Sequence, residues 1–239
     1  MEALLKKLID EDDHVNKTTI EVVLQDLRKR ILNGDLPPSS RLHVEKLRKE
    51  FKVGVSTIRE ALSRLLVETL VTTEGQRGFW VTPISNKDLV EVSEMRKHLE
   101  AIAIRRSIEN GDDEWEAEIV SSFHLLSREE ARIFGADCES TSRDTAKWSK
   151  LNREFHASLV AASDNTWLLS FRKSMLQQSE RYIQLSVRNA SPKQRDVSQD
   201  HKEIFDAVMA RDANLAIRLL DLHIDQAVSI IRESFGSDW

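Results

Sequence analysis

The stretch LRKEFKVGVSTIREALSRLLVETLVTTEGQRGFWVTP, residues 47–83, decides the fold that this sequence predicts. Its central part, TIREALSRLLVETL, carries apolar residues at helical spacing, which indicates a helix with one apolar face. KVGVS before it reads as a turn centred on Gly54, and HVEKLRKEF before that turn reads as a short helix. Two short β-prone runs follow on either side of residues 75–78, which predicts a hairpin. The expected apolar face consists of Ile58, Ala61, Leu62, Leu65 and Leu66.

A further helix precedes this stretch. IEVVLQDLRKRILNG places Ile20, Val23, Leu24, Leu27 and Ile31 at helical spacing, and Gly34 ends the pattern. DLPPSSRL, residues 35–42, is expected to be a turn because its two prolines cannot donate a backbone hydrogen bond. Three short helices followed by a hairpin predict a winged helix-turn-helix, in which the third helix enters the major groove of DNA.

The same residues resemble the DNA-binding domain of the GntR family of transcription regulators. The most specific elements are REALSRL, residues 59–65, and GFWV, residues 78–81. The resemblance implies that the third helix reads base edges with its first side chains, and that the hairpin tip reaches the minor groove. The candidate DNA-contacting residues are Arg48, Ser56, Thr57, Arg59, Arg64, Arg77 and Gly78.

One position departs from the family pattern. The family commonly places an arginine where this chain has Val55, directly before Ser56. Valine offers only apolar contact, for example to a thymine methyl group. Ser56, Thr57 and Arg59 therefore inherit the contacting role, and we expect the operator to differ from the family consensus. The alternative is that these are ordinary polar residues on a surface helix.

Composition and charge exclude several classes of protein. The 239 residues are 40% hydrophobic and 31% charged, as in globular proteins. The longest apolar runs fall short of the roughly 20 residues that span a bilayer, and Cys138 is the single cysteine. We therefore expect a cytoplasmic protein without membrane contact. Residues 18–83 carry a net charge of +3, against −2 for residues 1–17 and −6 for residues 84–239, so only residues 18–83 should meet a polyanion.

The remainder predicts a mainly α protein whose second domain is an all-helical bundle. Ser85 is a candidate N-cap with Asp88 as its acidic partner, and the first helix should end at Asn110-Gly111. Its expected apolar positions are Leu89, Val92, Met95, Leu99 and Ile102 or Ala103. Further helices are expected at 113–132, 142–162, 165–188, 196–210 and 212–234, with Asp164 or Asn165 capping one and Asp212 the last.

The family resemblance continues through this second part, which is similar to the FCD type of ligand domain in the FadR branch. NGDDEWEAEIVSSFHLLSREE, residues 110–130, is similar within that branch to carbon-starvation-induced regulators. The expected organisation is an N-terminal extension over 1–17, a DNA-binding domain over 18–83 and an effector-binding and dimerisation domain over 84–239. The sequence does not indicate a role for the extension.

Three histidines are candidate ligands inside the bundle. Asn152 and His156 lie one helical turn apart on one face, while His201 and His223 lie on two other predicted helices. Imidazoles are common metal ligands, but each of these histidines taken singly is more often a packed core or surface residue. The resemblance implies more, because this branch binds a divalent metal such as zinc or nickel through Asp or Asn, then three histidines. Asn152, His156, His201 and His223 match those positions.

Asn152 leaves two chemical alternatives, because its amide oxygen is neutral where the family often has a carboxylate. Either a metal binds and an incoming carboxylate supplies the missing negative charge, or the imidazoles hold a carboxylate without metal. We favour the metal. The resemblance also implies that Arg96 clamps an effector carboxylate, and Arg181 is a second candidate. The alternative for both arginines is a salt bridge with a neighbour such as Glu100 or Glu180.

Together these features predict a ligand-responsive transcriptional regulator, most simply a repressor, and not an enzyme. It should bind a palindromic double-stranded operator as a homodimer and respond to a small carboxylate, for example a short dicarboxylate such as glutarate. Two alternatives remain. One is a DNA-binding dimer without metal or effector, and the other is a metal-dependent hydrolase, which would need a general base near the metal. Glu154 is the acid nearest to His156 in sequence, but the two-residue offset puts it on another helical face.

Overall fold

A computed structural model describes residues 18–74, 78–134, 142–189 and 196–235. The described chain is mainly helical, with a small sheet near its start. In chain order its elements are α1 Thr19–Leu32, β1 Arg41–Leu42, α2 Val44–Phe51, α3 Val55–Val67, β2 Val71–Thr73, β3 Phe79–Val81, α4 Asn86–Asn110, α5 Asp113–Phe134, α6 Ser142–Ser158, a 3-10 turn Ala161–Ser163, α7 Thr166–Asn189, α8 Val197–Met209 and α9 Ala213–Phe235. The prediction of a winged helix-turn-helix followed by a helical domain is confirmed.

The described residues form two compact units. The first extends to Asp88 and includes Gln177–Asn189, the last part of α7. The second comprises Leu89–Leu176 and the described residues 196–235. The expected division after residue 83 is therefore not the same as the division by packing, since the first unit takes in a helical segment from much later in the chain.

The core of the first unit consists of the predicted apolar faces of α1 and α3. Leu27, Ile58, Leu62 and Leu65 are fully buried there, because the apolar residues of each helix recur at a spacing that lines one side. α1 begins with a capping box, in which Glu21 N donates to Thr18 Oγ1 over 3.3 Å and Thr18 N donates to Glu21 Oε2 over 2.7 Å.

The turn between α2 and α3 differs from the expected one. Lys52, not Gly54, adopts the left-handed conformation, with φ of 54° and ψ of 43°. Gly54 is extended and acts as the N-cap position of α3. The glycine is thus not needed for a positive φ, and the left-handed turn falls on a residue whose side chain is exposed.

The wing is a three-stranded antiparallel sheet with strand order β1-β3-β2. The predicted hairpin is present, with Thr72 opposite Trp80 and Val71 opposite Val81. The strand β1 was not predicted, because DLPPSSRL reads locally as a turn. Arg41 pairs with Trp80 in this strand, and the Arg41 guanidinium lies 5.5 Å from the centre of the Trp80 ring.

The segment of α7 that belongs to the first unit binds the ends of the wing. Gln178 Nε2 donates to the Glu68 carbonyl and to Thr69 Oγ1, each over 2.8 Å. Arg181 Nη2 donates to the Thr82 carbonyl over 2.6 Å, and the Tyr182 hydroxyl is hydrogen-bonded to the Asp88 carboxylate. These donors satisfy backbone and side-chain acceptors where the wing leads into α4.

The second unit is a helical bundle with its own apolar core. Phe155, Ile119, Ile104 and Leu220 are at most 1% exposed within it. The expected apolar face of α4 is correct at Leu89 but wrong at Met95, which is 50% exposed. Of the alternative pair Ile102 and Ala103, it is Ala103 that is buried. The buried side of α4 instead includes Arg96 and Glu100, whose charges are paired, as described below.

The helix ends follow local capping chemistry. Ser85 Oγ accepts from Asp88 N over 3.1 Å, Asn165 Oδ1 from Leu168 N over 3.0 Å, and Asp212 Oδ1 from Leu215 N over 2.9 Å. α6 ends at Ser158, four residues before the expected end, and a 3-10 turn follows. A Cβ on Gly111 would lie 2.0 Å from Trp115 Cε3, so glycine is required there by the close approach of the indole.

Over the described residues, none of the helices is both long enough and apolar enough to cross a membrane.

Candidate functional site

The candidate DNA-contacting side chains of α3 lie on its solvent-facing side. Ser56, Arg59 and Arg64 are exposed and Thr57 is half-buried, whereas Ile58 on the other face is fully buried. The first turn of α3 contains no acidic residue. The amino end of the helix therefore keeps the partial positive charge that favours an approaching phosphate.

Two of the candidate arginines are held in exposed ion pairs. Arg48 Nε lies 2.7 Å from Glu45 Oε2, and Arg64 Nη2 lies 2.8 Å from Glu60 Oε1. Exposed pairs of this kind contribute little to stability, because water screens them. Such pairs can be exchanged for contacts with phosphate at little cost, so the DNA-contacting role of both arginines stays a prediction.

The wing contributes one conformational requirement. Gly78 has a φ of +117°, a region that residues with a Cβ rarely adopt, and this conformation starts the return strand β3. Gly78 therefore positions the wing rather than offering a side chain to DNA. Arg77, the predicted minor-groove residue, lies outside the described residues.

The three predicted histidines meet inside the second unit. His156 on α6, His201 on α8 and His223 on α9 have ring centroids 4.9 to 5.2 Å apart. One nitrogen from each ring lies within 4.8 Å of the other two. His156 is 2% exposed and His201 is fully buried. The three helices thus bring together imidazoles that are 45 and 22 residues apart in the chain.

Two ring nitrogens of the cluster, and the amide oxygen of Asn152 one helical turn before His156, are candidate metal ligands. His156 Nε2, His201 Nε2 and Asn152 Oδ1 are buried and have no hydrogen-bond partner among the described residues. Buried polar atoms are rarely left without a partner, because each lost hydrogen bond costs about 1–3 kcal/mol. Two nitrogens on one zinc or nickel ion are at most about 4.2 Å apart, twice the usual bond length of about 2.1 Å. The 4.8 Å within which the three ligand atoms of the cluster lie is close to that spacing.

Neighbouring carboxylates lie beside two of the three imidazoles, on the outside of the cluster. His201 Nδ1 is 2.7 Å from Glu130 Oε1 and His223 Nδ1 is 3.6 Å from Asp200 Oδ2. Such outer contacts select the nitrogen that is left for a ligand.

Burial keeps His156 neutral. The pKa of His156 lies well below its ordinary value, first because burial disfavours the imidazolium and then because His223 and His201 lie beside it. Arg96 and Arg172 lower this pKa further, which indicates that both guanidiniums act on the same ring. A neutral imidazole retains the lone pair that a metal ligand needs.

A buried charge cluster adjoins the histidines. Arg172 Nε donates to Glu100 Oε2 over 2.7 Å, and Arg172 Nη2 donates to the His156 carbonyl over 2.7 Å. Arg96 Nε lies 3.7 Å from Glu100 Oε1. These three side chains are 7% exposed or less, so two buried guanidiniums share one buried carboxylate. The expected salt bridge of Arg96 with Glu100 is thus present.

Arg181 does not lie with the imidazoles. Its guanidinium donates to the Thr82 carbonyl, to the Pro83 carbonyl over 3.3 Å and to Gln178 Oε1 over 2.9 Å. These bonds fix it in the first unit, where it holds the end of the wing. The effector-binding role of Arg181 stays a prediction.

Two residues of the site escaped the sequence analysis, Glu130 on α5 and Arg172 on α7. Each lies in line with an apolar helical face, Glu130 four residues after Leu126 and Arg172 four residues after Leu168. A charged residue that continues a buried stripe is the signal that could have found them.

Two family descriptions match this chain. "Bacterial regulatory proteins, gntR family" matches residues 19–81, and "FCD domain" matches residues 91–226. Together they cover most of the described chain. The matches are to regulators rather than to enzymes, so the expectation that this is not an enzyme is confirmed.

Two relatives match over most of their length. The "Uncharacterized HTH-type transcriptional regulator BphR" of Paraburkholderia xenovorans is 39% identical over 92% of this chain and 87% of the relative. The "HTH-type transcriptional repressor GlaR" of Escherichia coli is 29% identical over 89% of this chain and 95% of the relative.

Two solved structures share the fold. E. coli McbR/YncC has a TM-score of 0.72 at 19% identity and covers 92% of this chain and 100% of its own. A GntR regulator from Rhodococcus sp. RHA1 has a TM-score of 0.70 at 20% identity, with coverage of 90% and 98%.

Proposed function

Because this chain belongs to the GntR family of bacterial regulatory proteins and is a DNA-binding transcriptional regulator, we propose that it is a repressor whose affinity for its operator changes when a small carboxylate binds at a metal ion in its helical domain. The observation that carries the proposal is the cluster of three imidazoles with two buried Nε2 atoms lacking a partner among the described residues, next to two buried guanidiniums. The proposed organisation is DNA binding by 18–83 and effector binding and dimerisation by 84–239.

The charge of the site supports an acidic effector. The ligand atoms of Asn152 and His156 are neutral, so a divalent ion keeps its two positive charges. Arg96 and Arg172 add two more, against the buried carboxylates Glu100 and Glu130. An acidic effector would place negative charge beside the metal and these guanidiniums, which favours its binding. This agrees with the proposed finer resemblance to carbon-starvation-induced regulators and with a short diacid such as glutarate.

Each side chain has a defined task in this proposal. His156, His201 and His223, with Asn152 Oδ1, would hold zinc or nickel, and the ion would supply a positive charge that attracts a carboxylate. Arg96 would bind the second carboxylate through its planar guanidinium. Arg172 would hold the backbone carbonyl of His156 by a hydrogen bond. It would also share the Glu100 carboxylate with Arg96.

On the DNA side, Ser56, Thr57 and Arg59 would face base edges in the major groove, and Arg48 and Arg64 would face phosphates. Arg77 would reach the minor groove. A single winged domain contacts few base pairs, so we propose a homodimer on a palindromic operator in the cytoplasm. Large exposed apolar side chains that a second copy could cover support dimerisation. They include Met95, Ile102, Trp167 and Phe171.

Helix α7 is the proposed route of the signal. Its residues up to Leu176 belong to the second unit and include Arg172, while its residues from Gln177 belong to the first and bind the wing. A carboxylate that changes the bonds of Arg172 would therefore act on a continuous helix that ends at the DNA-binding unit. Coupling of this kind is typically worth about 1–3 kcal/mol, or about 5- to 150-fold in affinity.

The test is a thermal-shift titration with a panel of small carboxylates, with and without a chelator. We expect one acid to raise the melting temperature, and chelation to abolish that effect. The double variant H201A/H223A should purify without metal, whereas the control H124A, at an exposed histidine, should keep it. Gel-shift assays with and without the acid then measure operator affinity.

Two results would contradict the proposal. Equal metal content in H201A/H223A and the parent protein would refute the metal site. Unchanged operator affinity across the panel would favour the alternative of a DNA-binding dimer without an effector.

A further inference from the structure

We propose that Glu130 is a further residue of the histidine site, which orients His201 toward the metal and supplies the negative charge that Asn152 lacks. The inference rests on the proposed function, because it concerns the same metal. Glu130 acts through His201, so it is a positioning residue rather than an expected direct ligand.

The two carboxylate oxygens of Glu130 have different surroundings. Oε1 accepts a hydrogen bond from His201 Nδ1 over 2.7 Å and another from Trp148 Nε1 over 3.2 Å. Oε2 is buried and has no hydrogen-bond partner among the described residues, and the residue as a whole is 1% exposed. A buried carboxylate oxygen without a donor is costly. A nearby cation that is bound through His201 accounts for a carboxylate at this position.

The hydrogen bond to Glu130 determines which nitrogen of His201 can bind metal. In the proposed arrangement the Glu130 carboxylate accepts this hydrogen bond and Nδ1 of His201 donates it. Nε2 then keeps its lone pair, and this atom is buried without a partner among the described residues. A carboxylate behind a ligating histidine also raises the basicity of the ring and hence the strength of the metal bond.

Glu130 has a second proposed role, which is to compensate part of the positive charge of the metal. Asn152 occupies the position where a carboxylate would neutralise part of the metal charge, and its amide cannot do so. Of the two carboxylates that contact the imidazoles, Asp200 is 3.6 Å from His223 Nδ1 and 22% exposed, so water screens it. Glu130 is at hydrogen-bond distance and 1% exposed. The negative charge of Glu130 therefore interacts more strongly with the site than that of Asp200.

The experiment compares zinc affinity in variants of the full chain. E130Q keeps the size of the side chain and an acceptor for Trp148, but removes the charge. E129Q is the matched control, because Glu129 is 3% exposed on the same helix but its carboxylate binds Arg132 and Lys147 instead of an imidazole. Metal-free protein is titrated with Zn²⁺ against a chromogenic chelator. We expect E130Q to bind zinc about 10- to 100-fold more weakly, and E129Q to bind as the parent does.

The double variant E130Q/N152D separates charge compensation from a structural role. A carboxylate at position 152 restores the missing charge inside the cluster, so it should recover most of the affinity that E130Q loses. A role in packing alone predicts no recovery, because a charge at position 152 does not repair the packing around position 130.

Each outcome decides the inference. Equal affinity of E130Q and E129Q overturns it, and so does a loss in E130Q that N152D does not recover. If neither E130Q nor E130Q/N152D folds, Glu130 serves folding and the inference is overturned; if only the double variant folds and binds zinc, the inference is supported. If the folded parent protein binds no zinc at all, the proposed function fails instead, and this result is distinct from the others.

Discussion

Removal of Arg172 tests the buried charge cluster directly. Arg172 is 6% exposed and its Nε lies 2.7 Å from Glu100 Oε2, while Glu100 is 1% exposed. Substitution R172M preserves much of the apolar volume but leaves Glu100 with Arg96 as a partner at 3.7 Å. Breaking one partner of a buried ion pair costs about 3–5 kcal/mol. Because Arg96 remains, we expect the lower end, about 3 kcal/mol, which corresponds to about 6–12 °C in melting temperature for a protein of this size.

The measurement is urea unfolding of the metal-free protein followed by circular dichroism, so that ligand binding does not contribute. R64M is the control, since Arg64 forms an exposed ion pair with Glu60 and should cost less than about 1 kcal/mol. The double variant E100Q/R172M also deprives Arg96 of its pairing with Glu100 and should be no more stable than R172M. If R172M costs no more than R64M, the buried cluster does not carry the energy assigned to it here.

Three further predictions concern other parts of the molecule. Tyr182 is the single tyrosine and is fully buried. Burial together with the Asp88 carboxylate raises the pKa of its phenol. The stability that neutral Tyr182 contributes is therefore present below about pH 10 and lost above it. Phenolate absorbance during alkaline titration should appear only with unfolding, and Y182F should weaken the dependence of stability on pH above pH 10; ionisation in the folded protein near pH 10 would contradict this. G111A should destabilise by about 1–3 kcal/mol through the clash with Trp115, whereas G54A, where a Cβ meets only Ser56 Oγ at 3.5 Å, should change the melting temperature little. R59A should weaken operator binding by about 1–3 kcal/mol, measured by gel shift against the control S63A on the same helix; equal affinities would remove Arg59 from the interface.

The parts of the fold that could be predicted are those that local chemistry determines. The apolar stripe of α3 lines one face at regular spacing, and Ser85, Asn165 and Asp212 cap helices as their side chains predict. The strand β1 could not be predicted, because two residues after a proline turn become a strand only through pairing with β3. That pairing is a tertiary effect, which local propensity does not contain.

The same contrast between local and tertiary information applies to the candidate site. Asn152 and His156 share a helical face, so the sequence alone puts them together, but their approach to His201 and His223 depends on how three helices pack. The sequence predicts this approach of the histidines only through the resemblance to the family. Glu130 and Arg172 continue apolar stripes, which indicates burial, but their partners across the bundle depend on tertiary packing. Met95 shows the opposite error, an apolar residue on an exposed face.

The division of α7 between the two units has a consequence for how the protein is synthesised. The carbonyl of Thr82 receives its donor from Arg181, 99 residues later, and that of Glu68 from Gln178, 110 residues later. On the ribosome the winged segment leaves the exit tunnel long before these donors exist, and water must hydrate both carbonyls in the meantime. A chain truncated after residue 83 would lack both donors permanently.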